Sequence, residues 1–501
     1  MVRTMRVFYV TTPIYYPNAE PHIGHAYTTV MADVIARWMK LEGFEVFFLT
    51  GTDEHGLKLQ RAAEEKGLRP KEFVDVMSGK FKEAWVKLNI EYSRFIRTTD
   101  SDHEELVKRV MKELWDKGLI YKGSYSGWYC TSCERFYDEG EYVEEGGKRL
   151  CPIHLKELEW FEEETYFLKF SKFTDYVLKV LKENDVVTPK EYVREVISKL
   201  ESHGLKDLSI TRRKSRVSWG VEAPWDPNHT IYVWIDALLN YLTGIKYYKD
   251  REFFRKFWEN THHFVGKDIL WFHTAIWFSL LKMLEVDHPK KVIVHGFILT
   301  RGRKMSKSTG NVVTVDDLLK EFDADVVRYY LMRIAALDKD AEFSLENMKE
   351  VYNSELADTL GNLVRRLSVL AIKKLGGEVP RSEIDTEVKE AAEKSLNDAR
   401  AEMKNFRFSV ATVKIFDLFR FLNAYMNRTE PWRKEKPTYE LYNSIEALRF
   451  GTSMLWPFMP ETAERIAKVF SFNIVGFSDL KFGSTEKFIV TEAPILFRKK
   501  S

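Results

Sequence analysis

The sequence is short of cysteine and glutamine, and it carries almost no net charge. Only three of its 501 residues are cysteine, which argues against a disulfide framework. Glutamine occurs once, at Gln60, among abundant lysine and glutamate, a composition that leans towards a thermophilic source. The formal net charge is +2, so any contact with an anionic polymer must depend on local patches of charge.

Long apolar runs are also absent from the sequence. No stretch is long enough to span a bilayer, and the N-terminus has no signal-peptide pattern. We therefore expect a cytoplasmic protein without membrane contact. The chain is long enough for roughly three domains, and its 45% of hydrophobic residues suffice for sizeable cores.

Residues 1–115 predict the first half of an α/β domain. A buried strand at 6–12, a helix that begins near Ala26 and a second strand at 45–49 form one βαβ unit. Because such units build parallel sheets, we expect a Rossmann-type sheet with its functional groups at the carboxyl ends of the strands. The alternation of strand and helix returns over residues 221–330, the second half of this domain. The strands predicted there are Thr230–Leu239, His263–Ile269 and Lys291–Ile298.

Residues 116–220 interrupt this alternation and form a predicted insertion. All three cysteines lie in it, as the pair Cys130 and Cys133 and, seventeen residues later, Cys151 with His154. Thiolates and an imidazole at such spacing suit a tetrahedral Zn²⁺ site with no open position. The pattern therefore predicts one structural zinc per chain, held in a knuckle.

Three turns are predicted to meet at the carboxyl edge of the sheet. Residues 22–25 have the sequence H-I-G-H and precede a helix N-terminus, where free N–H groups and positive potential suit phosphate. The basic loop 300–311 contains Lys304 and Lys307, whose point charges suit a polyphosphate. The third turn is 266–268. Taken singly, a pair of histidines in a turn or a K-x-x-K loop is more often an ordinary surface feature.

Two of these turns carry a family resemblance. H-I-G-H at 22–25 and K-M-S-K-S at 304–308 match, letter for letter, the two signature motifs of the class I aminoacyl-tRNA synthetases. Residues 233–238 and 264–269 look like the methionyl branch in particular. The resemblance extends over nearly the whole chain. It implies an enzyme that uses ATP to convert methionine to methionyl-adenylate and then transfers it to the 3′ end of its tRNA.

The resemblance also implies roles for individual residues. The methionine ammonium group would bind Asp53, and the thioether would lie in an aromatic pocket, since sulfur packs well against rings. Ile14, Trp234 and Leu238 could equally be plain core residues. The implied methionine site comprises Ile14, Tyr16, Asp53, Trp234, Leu238, Tyr241, Ile269 and His273. The implied ATP site comprises His22, Gly24, His25, Gly266, Asp268, Lys304 and Lys307, with Mg²⁺ bridging the phosphates.

The last third of the sequence predicts a helical domain. Residues 331–350 form a linking module, and residues 351–501 form a helical bundle. The bundle resembles the anticodon-binding domain of the family, which implies that Asn362, Arg366 and Trp432 contact the anticodon. Without the resemblance, the first two belong to a solvated helix face and Trp432 is a packing anchor. The helical segments predicted in the bundle are 353–375, 384–404, 408–429 and 438–456.

Two alternatives remain open from the sequence. One is a sister synthetase for leucine, valine, isoleucine or cysteine, although the insertion is small for an editing domain and the zinc ligands lie outside the amino-acid pocket. The other is a paralogue that binds tRNA without catalysis. Many family members have a further C-terminal dimerisation domain, whereas this chain stops at Ser501, soon after a strand-like segment at Lys487–Phe497. We therefore expect a monomer.

Overall fold

The computed structural model describes residues 6–137, 139–300, 302–304 and 312–500, with the backbone alone at 125, 163 and 304. In these ranges no helix combines the length and the apolar character needed to cross a membrane. The N-terminal part forms β1 (Val7–Tyr15), α1 (Ile23–Leu41), β2 (Glu45–Thr52), α2 (Leu57–Glu65), α3 (Pro70–Lys87), β3 (Arg94–Arg97) and α4 (Ser101–Asp116).

The middle of the chain forms β4 (Ile120–Cys130), β5 (Arg135–Tyr137), β6 (Val143–Glu145), β7 (Lys148–Leu150), β8 (Glu159–Leu168), α5 (Thr174–Glu183), β9 (Val187–Thr188), α6 (Lys190–His203), β10 (Leu208–Ser209) and β11 (Thr211–Arg213). It is followed by β12 (Glu222–Ala223), β13 (Asp226–Ile231), α7 (Val233–Leu238), α8 (Asn240–Gly244), α9 (Arg251–Trp258), β14 (Thr261–Gly266), α10 (Trp277–Met283), β15 (Lys291–His295), β16 (Ile298–Thr300) and β17 (Arg303–Lys304).

The C-terminal part forms α11 (Val315–Leu319), α12 (Ala324–Arg333), β18 (Ala341–Phe343), α13 (Leu345–Val351), α14 (Asn362–Leu375), β19 (Glu378–Pro380), α15 (Thr386–Lys404), α16 (Phe408–Thr429), α17 (Thr438–Leu455), α18 (Pro460–Val469) and β20 (Lys487–Ile489). A π-helical segment, Tyr352–Gly361, joins α13 to α14.

The central sheet confirms the predicted Rossmann-type architecture. Among the described residues, six strands lie in the order β3-β2-β1-β14-β15-β9, and every neighbouring pair is parallel. β1 is flanked by β2 on one side and by β14 on the other, so the strand order reverses beside it. A crevice opens at such a switch point, beyond the carboxyl ends of the strands.

One strand of this sheet comes from the range assigned to the insertion. Val187–Thr188 pairs in parallel with Val292 and Ile293 of β15 and forms the edge of the sheet. The helices α5 and α6 flank this strand in the chain. A two-residue strand has no recognisable period, so its partner is set by tertiary packing.

The rest of the insertion is mainly antiparallel. β10, β8, β4 and β5 form one sheet, in which β4 and β8 pair from Ile120 with Leu168 to Tyr129 with Glu159. The hairpin of β6 and β7 lies between β5 and β8 in the chain. The two halves of the predicted knuckle therefore come from the end of β4 and from the turn that follows β7.

Several strand predictions were wrong in extent. The strand in Lys291–Ile298 ends at His295, and the strand in His263–Ile269 ends at Gly266. Within Thr230–Leu239, the strand ends at Ile231 and residues 233–238 are helical. A short apolar run fits a buried strand and a buried helix equally well, and here the helix turns Trp234 and Leu238 to one face. The strand-like segment 487–497 is a strand only over Lys487–Ile489, which pairs with Glu378–Pro380.

The helical bundle confirms the third predicted part of the fold. The helices α15, α16 and α17 begin and end within about two residues of the predicted limits, because each has an apolar face that repeats at helical spacing. The segment predicted at 353–375 is divided between the π-helical Tyr352–Gly361 and α14. The apolar faces of α14, α15, α16 and α17 share one continuous core with α1 and α12. The bundle is thus packed against the helix that begins at the histidine turn.

Candidate active site

The histidine turn forms the N-terminus of α1. His22 is the N-cap residue, and its Nδ1 accepts a hydrogen bond of 3.0 Å from the Gly24 N–H. His25 Nδ1 accepts one of 3.2 Å from the His22 N–H, and the two rings stack at 3.8 Å. Burial, with smaller contributions from His22 and Lys58, holds the pKa of His25 well below its ordinary value. Because both Nδ1 atoms accept, each neutral ring carries its proton on Nε2, as a hydrogen-bond donor.

The chain that follows the basic loop lies directly against this turn. His22 forms a β-bridge with Thr314, and the Ile23 N–H donates to the Val313 carbonyl at 3.0 Å. Lys304 ends β17, which pairs with β16. Its side chain, and the whole of Lys307, lie outside the described residues. The structure therefore brings both ends of the loop to the carboxyl edge of the sheet.

Asp53 follows β2 at the same edge. Its side chain is buried, and Oδ1 has no hydrogen-bond partner among the residues that the structure describes. The buried hydroxyl of Tyr16 also has none, and Lys58 Nζ lies 4.7 Å from the centre of the Tyr16 ring. Burial, followed by repulsion from Asp236 and other acids, raises the pKa of Asp53 well above its ordinary value. An unpartnered buried carboxylate is costly, so this site is suited to a cation.

A buried triad supports this loop, and the sequence pattern did not reveal it. Asp236 Oδ2 lies 2.7 Å from His55 Nδ1, and Oδ1 lies 2.9 Å from His103 Nε2. All three side chains are buried. Burial opposes ionisation, but the two histidines lower the pKa of Asp236 to about 2. The partners come from three separate parts of the chain, so only the tertiary structure could identify them.

An aromatic pocket adjoins the Asp53 site. Trp234 stacks on Phe272 with centroids 3.9 Å apart, and it lies edge-on to His273 at 6.3 Å. Tyr241 donates a hydrogen bond of 2.7 Å to His273 Nε2, while His273 Nδ1–H donates to the Ile269 carbonyl at 2.9 Å. Burial lowers the pKa of His273 to about 4, so the ring is neutral. Both of its nitrogens thus have partners within the protein.

The remaining pocket residues are placed as follows. Leu238 is buried on α7, and Ile14 and Ile269 are partly buried against the same core. Phe272, which carries the Trp234 stack, was not predicted from the sequence. Its position in the helical run after β14 was visible, but its facing partner was not.

The third predicted turn follows β14. Asp268 is exposed, one residue before Ile269. A Cβ atom on Gly266 would lie 2.7 Å from Asp268 Oδ1, so the turn requires glycine if the carboxylate is to keep its position. The carboxyl ends of β1, β2, β14 and β15 thus surround one crevice.

The predicted knuckle ligands are brought together. One donor atom from each of Cys130, Cys133, Cys151 and His154 lies within 4.8 Å of all the others. The Tyr137 hydroxyl lies 3.1 Å from Cys133 Sγ and 3.3 Å from Cys151 Sγ, where it can donate to a thiolate. Three sulfurs and one imidazole converging in this way can hold a metal ion.

The three predicted anticodon residues lie in the helical bundle. Asn362 begins α14 and is exposed, and Arg366 follows one turn later. The Arg366 guanidinium lies 5.4 Å from the centre of the exposed Trp432 ring, and it donates to Asn427 Oδ1 at 2.8 Å. These side chains are thus adjacent and accessible. Asn427 was not predicted.

The H-I-G-H turn beside the switch point of a parallel sheet is typical of the class I aminoacyl-tRNA synthetases, and the family model described as tRNA synthetases class I (M) matches residues 8–368. The methionine–tRNA ligase of Thermotoga maritima is 40% identical over 98% of this chain and 80% of its own length. That of Streptomyces coelicolor is 39% identical over 92% of this chain and 89% of its own. The chain therefore belongs to the methionyl-tRNA synthetase family of methionine–tRNA ligases.

Solved structures agree with this assignment. The crystal structure of Mycobacterium tuberculosis methionyl-tRNA synthetase bound by methionyl-adenylate matches with a TM-score of 0.94 and 35% identity, covering 98% of this chain and 100% of that one. The free-state structure of the same enzyme matches with a TM-score of 0.85 and 33% identity. The methionyl interpretation is thus confirmed over the sister synthetases.

Proposed function

We propose that this methionine–tRNA ligase forms methionyl-adenylate in the crevice at the carboxyl edge of its sheet, with Asp53 binding the methionine ammonium group. The observation that carries the proposal is the buried, unpartnered Oδ1 of Asp53 beside the unpartnered hydroxyl of Tyr16. An ammonium group placed there would satisfy both oxygen atoms and offset the cost of the buried charge. The triad that contains Asp236 would keep the Asp53 loop in place.

The aromatic pocket would then receive the thioether. Trp234 offers a ring edge fixed by its stack on Phe272, and Tyr241 and His273 offer the opposite wall. Because both nitrogens of His273 already have partners, its contact with sulfur would be packing against the ring. Ile14, Leu238 and Ile269 would complete the apolar lining.

ATP would bind with its phosphates at the N-terminus of α1. The methionine carboxylate attacks the α-phosphate, the bond to the β-phosphate breaks and pyrophosphate leaves. His22 and His25 would donate from Nε2 to phosphate oxygens, and Gly24 would allow close approach to the backbone. Lys304 and Lys307 would neutralise the leaving pyrophosphate. Gly266 and Asp268 would hold the ribose.

Two metal ions complete the proposal. Cys130, Cys133, Cys151 and His154 would hold a structural Zn²⁺, whose bound state fixes the geometry of the knuckle. Mg²⁺ would accompany ATP and reduce the charge of its phosphates. The first assignment follows from the donor chemistry of the knuckle, and the second follows from the family.

The tRNA anticodon would be recognised in the helical bundle, away from the crevice in which methionyl-adenylate would form. Trp432 would stack on an unpaired anticodon base, while Asn362 and Arg366 would donate to base edges. The partly exposed pair of Arg366 and Trp432 supports this role. A ring and a guanidinium plane side by side suit the unstacked bases of an anticodon loop.

The test is methionine-dependent ATP–pyrophosphate exchange by the Asp53→Ala variant. We expect kcat/KM for methionine to fall by about 100-fold or more, because a buried charge pair is lost, while the KM for ATP changes little. Leucine and valine serve as control amino acids and should give no exchange with the unaltered protein. An Asp53→Ala variant with normal methionine kinetics would refute the ammonium role.

A further inference from the structure

The turn of the knuckle that follows Cys133 contacts Trp234 of the proposed methionine pocket and the helix that follows the Asp53 loop. The Cys133 carbonyl accepts a hydrogen bond of 3.3 Å from Trp234 Nε1. The next residue, Glu134, is 2% exposed, and its Oε1 accepts one of 2.5 Å from the Lys58 backbone N–H. This one turn of the insertion thus touches two parts of the site. They are the Trp234 ring, which would pack against the methionine side chain, and α2, the helix that follows the Asp53 loop.

Glu134 is fixed in this position by its surroundings. Its backbone has a φ of 53°, a left-handed conformation that non-glycine residues seldom adopt. Tyr129 donates to its Oε2, so both carboxylate oxygens have partners. A Cβ atom on Gly56, whose φ is 100°, would lie 3.0 Å from Glu134 Oε1. The glycine therefore lets this carboxylate approach the helix closely.

Lys58 is the second residue of α2, where a backbone N–H has no partner within the helix. A carboxylate at this position satisfies the N–H and complements the helix dipole. The same residue places its ammonium group over the Tyr16 ring, 4.7 Å from the centroid. The position of the N-terminal turn of α2 thus determines where Lys58 lies over Tyr16 and where the loop of Asp53 ends.

We propose that Glu134 is a positioning residue for methionine binding, which acts by fixing the N-terminus of α2 while the Cys133 carbonyl fixes Trp234. This inference rests on the proposed function of the pocket. Glu134 itself does not contact the substrate. Its effect reaches methionine through Lys58, Tyr16 and the Asp53 loop on one side and through Trp234 on the other.

The experiment compares Glu134→Ala, Glu134→Asp and Glu134→Gln in the metal-loaded full chain. Alanine removes both hydrogen bonds, and aspartate is too short to reach the Lys58 N–H. Glutamine retains an acceptor for Lys58 and can donate to Tyr129. We expect alanine and aspartate to raise the KM for methionine by about 10- to 100-fold, as for a buried donor left unpaired. The KM for ATP should stay within about twofold, and glutamine should restore methionine binding.

Two further measurements separate positioning from general damage. Hydrogen–deuterium exchange of the peptide 56–60 should be faster in the alanine variant and normal in the glutamine variant. Metal content should be unchanged in both. The control is Glu157→Ala, which removes an exposed pair with Lys148 elsewhere on the knuckle, and it should leave both KM values unchanged.

Several outcomes would overturn the proposal. They are an unchanged KM for methionine in the alanine variant, an equal rise in both KM values, or a glutamine variant as impaired as alanine. The Asp53→Ala variant is measured in parallel, so that a wrong role for Glu134 can be distinguished from a wrong assignment of the methionine site. If Asp53→Ala weakens methionine binding and Glu134→Ala does not, only the role of Glu134 is wrong.

Discussion

Individual side chains set the electrostatics of the crevice. Burial holds the pKa of His25 well below its ordinary value, and the Nδ1 atoms of both stacked histidines accept hydrogen bonds from the backbone. Asp53 is the opposite case, a buried carboxyl whose pKa is raised by burial and by neighbouring acids. Neutral donors on one side and the buried Asp53 carboxyl on the other would suit the zwitterionic substrate and anionic nucleotide that we propose for this site.

The raised pKa of Asp53 predicts a pH dependence for methionine binding. Below that pKa the carboxyl is protonated and neutral, so it no longer attracts the ammonium group. The dissociation constant for methionine should therefore rise as the pH is lowered, by about tenfold per pH unit once the group is mostly protonated. Calorimetric titration of methionine between neutral and acidic pH measures this. The rise in the dissociation constant should begin at a higher pH than it would for an aspartate with an ordinary pKa.

Asp53→Asn provides the control for this prediction. The variant should bind methionine weakly at every pH, with a flat profile over the same range. A variant that kept the slope of the unaltered protein would assign the titration to another group.

Among the secondary-structure elements, the knuckle is the one that we expect to depend on a bound ion. Its donors come from the end of β4 and from the turn after β7, and its small core contains Tyr137 and Leu158. So few apolar residues contribute little hydrophobic stabilisation, and a small element of this kind normally needs a metal or a disulfide. Because the knuckle also contacts Trp234 and α2, its order has consequences for the pocket.

Replacing Cys151 with serine should remove the metal. We expect about one equivalent of zinc in the purified protein and a clear loss in Cys151→Ser, measured by elemental analysis. The hairpin β6–β7 should then become sensitive to proteolysis. Ser132→Ala, between the first two ligands, is the matched control and should keep its zinc. Full metal content in Cys151→Ser would contradict the assignment of this ligand.

In the whole molecule, a buried charge cluster joins the catalytic sheet to the bundle. Arg328 on α12 is fully buried, and its Nη2 lies 2.7 Å from Asp33 Oδ2 of α1 and 2.7 Å from the Pro457 carbonyl. Arg37 also bonds Asp33, at 2.8 Å. The two arginines together lower the pKa of Asp33 against the effect of burial. The helix that starts at the histidine turn is therefore tied to the segment between α17 and α18.

Arg328→Met should destabilise the protein strongly. It leaves the carbonyl of Pro457 without a donor and Asp33 with only one of its two cations, and breaking a buried pair in this way costs about 3–5 kcal/mol. Unfolding in guanidinium chloride measures the change. Arg333→Met, five residues along the same helix, is the control. Its partly exposed pair with Glu355 should contribute only about 1 kcal/mol or less. Equal losses in the two variants would show that the buried cluster has no special importance.

The sequence by itself determined much of this protein. Local periodicity placed the helices of the bundle to within a few residues, since an apolar face at helical spacing depends only on near neighbours. Ligand spacing was enough to predict the metal cluster, because two turns of fixed length bring such pairs together. The two motifs, 22–25 and 304–308, identified the family by their letters.

Only the tertiary structure decided which distant residues become partners. Asp236 meets His55 and His103 across 181 and 133 residues, and Glu134 meets Lys58 across 76. The sequence contains no local signal for such pairs, because a buried hydrogen bond depends on the path of the chain through space. The same holds for the short strand Val187–Thr188, which gains its identity from β15, and for residues 233–238, which packing makes a helix. The residue types at the crevice follow from the sequence, whereas long-range packing decides how those side chains are held in place.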